Sequence, residues 1–116
     1  MALVSALAVG IGGAFGAVSR YAVGEVIERR AVDTFVVNTL GSFVLGFVVG
    51  IEIGGPPALA LAVGFCGAFT TFSSFAVETV RLAEEKAWVS AAVNAGGTLL
   101  VALCAALAGG AVGAYI

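Results

Sequence analysis

Apolar residues run through this chain in four long stretches, and the polar, Gly and Pro positions between them are few and clustered. The stretches are Ala2 to Gly24, Thr34 to Ile51, Pro57 to Thr79 and Ala87 to Tyr115, separated by Glu25 to Asp33, Glu52 to Pro56 and Val80 to Lys86. Each approaches the ~20 residues a helix needs to cross the hydrocarbon core of a bilayer, so the pattern predicts four transmembrane helices. The first stretch has no Lys or Arg ahead of its apolar run. That run also outlasts the ~7–15 residues of a secretory-signal core, and it is read as a retained helix. The connectors leave no room for a soluble domain, so residues 1–116 read as a single four-helix membrane domain.

Composition places the chain in lipid: 61% of residues are hydrophobic, 10% are charged and the mean hydropathy is +1.16. A formal charge of -2 without a dense Lys/Arg cluster sets nucleic acid aside. Cys66 and Cys104 lie inside apolar stretches, lack a Cys-x-x-Cys spacing and have no His to join them, which argues against a zinc site or a disulfide framework. No His, activated Cys or converging carboxylate set supports an enzyme. Tyr21, Trp88 and Tyr115 fall near the ends of the predicted spans, where amphipathic rings anchor at the lipid boundary. Arg29 and Arg30 lie in the first connector and Arg81 and Lys86 in the third, while the second connector and both tails carry no cation. The positive-inside rule then puts connectors one and three in the cytoplasm and both termini outside.

Lipid removes the hydrophobic drive between apolar helices, so packing rests on small residues that let backbones approach. Gly12 and Gly16, Gly46 and Gly50, and Gly109 and Gly113 each stand four apart and give their helices such a face. A bundle this small has little interior for a water-filled path, which favours at least two copies for any transport role. In the second stretch Asn38 and Ser42 share a face, with Thr39 beside them, and Asn94 and Thr98 repeat the spacing in the fourth. Such residues either hold the bundle by hydrogen bonds between helices or line a path through it. In the third stretch Gly64 and Gly67 precede Thr70, Thr71, Ser73 and Ser74, a composition that favours interruption of the helix. Backbone groups freed at that depth need protein, water or an ion as partner. Phe72 and Phe75, three apart, project from one side of the segment that follows. They are either core filler or rings whose positive edges favour an anion without holding it tightly.

Three blocks, Gly12-Gly13-Ala14-Phe15-Gly16-Ala17-Val18-Ser19-Arg20-Tyr21, Val37-Asn38-Thr39-Leu40-Gly41-Ser42-Phe43-Val44-Leu45-Gly46 and Gly64 through Phe75, together resemble the Fluc (CrcB) family of fluoride channels in order, spacing and layout. The resemblance covers essentially the whole chain. It implies an all-α integral membrane protein with four transmembrane helices and a broken third helix. It further implies an antiparallel, dual-topology dimer with two pores that pass fluoride out of the cytoplasm, and a structural sodium ion at the dimer centre. Carried over, Asn38 matches the pore asparagine, Phe72 and Phe75 the phenylalanines lining the ion path, and Thr71 and Ser74, with Thr70 and Ser73, the hydroxyls of the broken helix. Ser42 joins the Asn38 face of that pore. Backbone carbonyls of Gly67 and Thr70 from both subunits match the sodium ligands. Arg20 matches the arginine that ends the first helix, either drawing anions to a vestibule or anchoring the helix. Asn94 and Thr98 fall on a polar track of the fourth helix, with Asn94 where some relatives carry tyrosine. Glu78 fits the pattern after the second phenylalanine, without a role assigned to it.

Fluoride is small and strongly hydrated, so a selective pore must replace its water with donors and still release it. Amide and hydroxyl hydrogens with ring edges meet that demand. The one-sided connector cations sit awkwardly with dual topology: the partner is either a second copy of this chain or an oppositely oriented paralogue. A small multidrug-type, proton-coupled transporter also has four spans, but it needs a carboxylate deep in its first helix, and here the first acidic residue is Glu25 at that helix's end. A purely structural membrane subunit would use the polar residues for packing alone.

Overall fold

Lipid offers no partner to a backbone N–H or C=O, so a spanning segment must satisfy its own, and helices do this. The computed structural model describes residues 2–116, and within them the chain is helical apart from short connectors. Helix α1 covers Ala2–Val26 and α2 Arg30–Ile51. The third span combines α3 (Gly55–Leu59), a π-helical turn at Ala60–Cys66, α4 (Gly67–Phe69) and α5 (Phe72–Glu84), and α6 runs Trp88–Tyr115. Four helical segments are thus long and apolar enough to cross a membrane.

All three connectors are shorter than the apolar pattern predicts, the second because α3 already begins at Gly55. The connector expected at Val80 to Lys86 is mostly helix: α5 continues to Glu84, with Arg81 paired along its own helix to Glu78 and to Glu85. The connector expected from Glu25 to Asp33 shrinks to Ile27–Arg29, because Asp33 enters the first turn of α2, where its charge complements the helix dipole and its amide bonds the Arg29 carbonyl. Charge ends a hydropathy window without ending a helix. Between α2 and α3 the chain reverses through positive φ at Glu52, Gly54 and Gly55, and the two prolines that follow fit the first turn of α3, which has no use for their missing N–H groups.

Glycine decides which spans touch. A Cβ on Gly46 would fall on the Ala106 carbonyl, one on Gly50 on the Gly110 carbonyl, and ones on Gly109 and Gly113 on the carbonyls of Phe43 and Phe47. Helices α2 and α6 therefore run parallel with backbones in contact. On the other side Gly12 lies against Ala60 and Gly16 against Phe65, while Gly64 lies against Val9, which seats α1 on the π-helical turn. The core is small: Val37, Val48, Cys66, Phe69 and Ala91 are its buried apolar residues, whereas Leu3, Leu7, Phe15, Leu103 and Leu107 face outward. An apolar exterior of this kind needs lipid around it. Alternation of the spans sets both termini and Glu52–Gly54 at one end, and the connectors before α2 and before α6 at the other.

Candidate functional site

Helicity stops for two residues in the third span: Thr70 (φ -88°, ψ 164°) and Thr71 (φ -148°, ψ 118°) are extended. Asn38 holds them there. Its Nδ2 donates to the Thr71 carbonyl at 2.9 Å and its Oδ1 accepts from the Thr71 N–H at 2.7 Å, so the side-chain amide from α2 replaces both helical partners of one peptide residue. The Thr71 hydroxyl caps α5 by accepting from the Ser74 N–H at 3.1 Å and lies 3.2 Å from the Ser73 hydroxyl. Thr70 Oγ1 donates back to the Cys66 carbonyl at 2.8 Å, and its methyl group fills the space left by Gly41.

These bonds have a consequence for two carbonyls. The amide that would close a helical turn on the Gly67 carbonyl belongs to Thr71 and is taken by Asn38; the one that would serve Thr70 belongs to Ser74 and is taken by the Thr71 hydroxyl. Both oxygens lose their i+4 donors at mid-span depth. Gly67 also faces open space, with nothing within 4 Å of a Cβ built on it.

Beside this turn lies a cavity of about 360 Å³. It brings together Asn38, Ser42, Gly67, Thr70, Thr71, Phe72, Phe75 and Thr98 of the residues singled out from the sequence, with Leu45, Ala62, Leu99 and Ala102 making most of the rest of its lining apolar. The rings of Phe72 and Phe75 are 5.7 Å apart and tilted by 49°, and Phe72 is 79% exposed, so one wall of the cavity is open. Asn38 has one amide hydrogen left after its bond to Thr71.

Of the residues singled out from the sequence, Arg20, Thr39, Ser73, Ser74, Glu78 and Asn94 lie outside the cavity lining. Ser74 contributes its backbone N–H to the cap on Thr71. Asn94 donates at 2.9 Å to Thr79 Oγ1, which in turn donates at 2.9 Å to the Phe75 carbonyl, so Asn94 reaches the backbone of Phe75 through a relay. Arg20 is bound at 2.9 Å to Asp33, a pair that ties α1 to α2 beside a shallow hollow formed by Ala17, Tyr21, Gly24 and Glu25. Thr39, next to Asn38 in the chain, is absent from the lining, and its buried hydroxyl has no partner among the described residues. Sequence reasoning missed Thr79 and Asp33. The spacing of Thr79 four residues after Phe75 carried a signal for the first; the second, read as connector, had none.

The profile of the family described as "CrcB-like protein, Camphor Resistance (CrcB)" matches residues 7–110. The chain is 63% identical, over the full length of both, to a protein of Natronomonas pharaonis named "Fluoride-specific ion channel FluC 2". It is 49% identical over 105 residues to a protein of that name from Haloarcula marismortui, covering 89% of this chain and 88% of the relative. With the "Fluoride-specific ion channel FluC" of Nitratidesulfovibrio vulgaris it shares 41% identity over 104 residues, 81% of this chain and 84% of the relative.

Proposed function

The chain belongs to the CrcB family, whose curated relatives are ion channels and not enzymes, and from that premise we propose that it forms a fluoride-selective channel through which fluoride leaves the cytoplasm passively. The observation that carries this reading is the cavity at Thr70–Thr71, where the spare Asn38 amide hydrogen, hydroxyl-bearing Ser42 and Thr98, and the tilted Phe72–Phe75 pair surround one volume. A dehydrated fluoride ion needs several weak donors in place of water, and ring edges add positive potential without a fixed charge that would trap it. The extended pair is the break of a broken third helix, and Thr71 and Ser74 set its geometry, with Asn94 supporting Phe75 from the fourth span.

The same site argues for a dimer. A cavity that holds the Asn38 amide, the Thr98 hydroxyl and unpaired backbone carbonyls is ill served by lipid on its open Phe72 side, and a second chain laid antiparallel across it closes the wall and yields two pores. Gly67 and Thr70 would hold a sodium ion at the centre of that dimer: their carbonyls lack helical donors, and two from each chain make the all-oxygen set a hard cation takes. Bound there, the ion would supply positive charge that joins the two breaks. The second chain is another copy or a paralogue of opposite orientation, and the cell membrane is the compartment that makes fluoride export useful. The multidrug-type reading lacks its carboxylate, since α1 carries no acidic residue before Glu25.

Fluoride efflux from liposomes, read by a fluoride electrode with chloride as control, tests the channel. Protein made alone or co-expressed with a paralogue of opposite charge bias is expected to release fluoride rapidly and chloride little. No release from either folded preparation overturns the proposal.

A further inference from the structure

We propose that Arg81 is a positioning residue for anion passage, because its guanidinium cancels the buried carboxylate of Glu78 beside the path. The inference rests on the channel reading above. Glu78 follows Phe75 by three residues, so it stands one turn farther along the same face of α5 as the ring that lines the cavity. It is only 3% exposed. A carboxylate buried in a membrane-spanning helix is costly, and beside an anion path it also opposes the ion.

The structure answers both problems with one side chain. Arg81 Nη2 lies 2.9 Å from Glu78 Oε2, and among the described residues Arg81 is the one cation within ion-pair distance of that carboxylate. Its Nη1 reaches the exposed Glu85 at 3.2 Å. Arg81 is itself half exposed, so its stem carries the charge toward water while the guanidinium turns back to Glu78. Glu85 holds the guanidinium in that pose from the solvent side. The neighbouring helix offers no cation: Asn94 of α6 is neutral and donates to Thr79. Without Arg81, an uncompensated negative charge would stand one helical turn from Phe75, near enough to repel fluoride where the bilayer weakens but does not abolish screening.

Fluoride efflux is compared for the parent, Arg81→Gln, Arg81→Lys and the double variant Glu78→Gln/Arg81→Gln, with folding checked by gel filtration. Arg81→Gln is expected to slow fluoride by about tenfold, the scale of one unscreened charge near the ion, and to recover partly as inert salt is added. Arg81→Lys keeps most of the flux. The double variant returns to within about threefold of the parent, since the two changes are coupled through one pair. Unchanged flux in Arg81→Gln overturns the inference, and so does a double variant as slow as the single, which marks Arg81 as structural. Should Arg81→Gln not fold, the double variant decides alone: fluoride flux near the parent's supports the inference and slow flux from folded protein overturns it. A parent that conducts no fluoride in any preparation defeats the channel reading instead.

Discussion

Asn38 shows how much one side chain can carry in a chain with so few polar groups. Its amide is bonded as a peptide group would be, with donor and acceptor both on Thr71, and it thereby keeps two residues extended where a helix would otherwise continue. Replacing it with aspartate keeps the acceptor, removes the donor to the Thr71 carbonyl and adds negative charge to the cavity. Asn38→Asp is expected to cost ~1–3 kcal/mol in stability for the buried carbonyl left unpaired. It is also expected to lose fluoride flux by at least about tenfold through repulsion of the anion. Thermal unfolding in detergent and liposome efflux check the two effects; a folded variant with parental flux would remove Asn38 from the path. The Asn38–Ser42 face was legible from spacing alone, because both residues sit on one helix. Their partner was not, since Thr71 lies 33 positions away and is recognised through its backbone, which any residue possesses. The partner of Arg20 was hidden for the same reason: Asp33 belongs to another helix.

At the scale of helices, the six glycines in four-residue pairs were readable as contact residues, and all six sit where a Cβ would strike a neighbouring carbonyl. Which helix each one meets was not readable, because a small-residue face has no chemistry that names its partner. Gly96 and Gly97, which stand side by side and form no pair four apart, make no such contact. This difference is testable within α6. Gly109→Val places a branched side chain on the Phe43 carbonyl and must push α2 from α6, with a cost at or above the ~1–3 kcal/mol of ordinary overpacking, because backbone cannot yield as a side chain can. Gly97→Ala points into open space and is expected to change stability little. Thermal midpoints of the two purified variants compare them directly, and equal midpoints would contradict the close packing of α2 on α6. The π-helical turn at Ala60–Cys66 left no trace in the hydropathy pattern, since widening a turn changes hydrogen-bond partners and not residue types.

For the molecule as a whole, the distribution of charge sets a constraint that the fold makes sharper. All five Lys and Arg residues, Arg20, Arg29, Arg30, Arg81 and Lys86, fall in the half of the bundle that holds the connectors before α2 and α6, while the opposite end has Glu52 and no cation. Arg20 and Arg81 are neutralised by Asp33 and Glu78, yet acidic residues weigh little in orientation, so the bias stands. The chain is therefore expected to insert with both termini outside, and an alkaline phosphatase fused after Ile116 should be active while a fluorescent protein at the same place stays dark. Moving the bias tests its cause: Glu52→Arg with Ile53→Arg adds cations to the bare end and should give a mixed population, with both reporters positive. In the antiparallel dimer proposed above, a single orientation requires that the chain across the open wall at Phe72 come from a protein of reverse bias, because two copies inserted alike present their cavities in parallel. Both reporters positive in the parent chain would mean the reverse, that the bias is too weak to orient it and a second copy of the same chain supplies the missing wall.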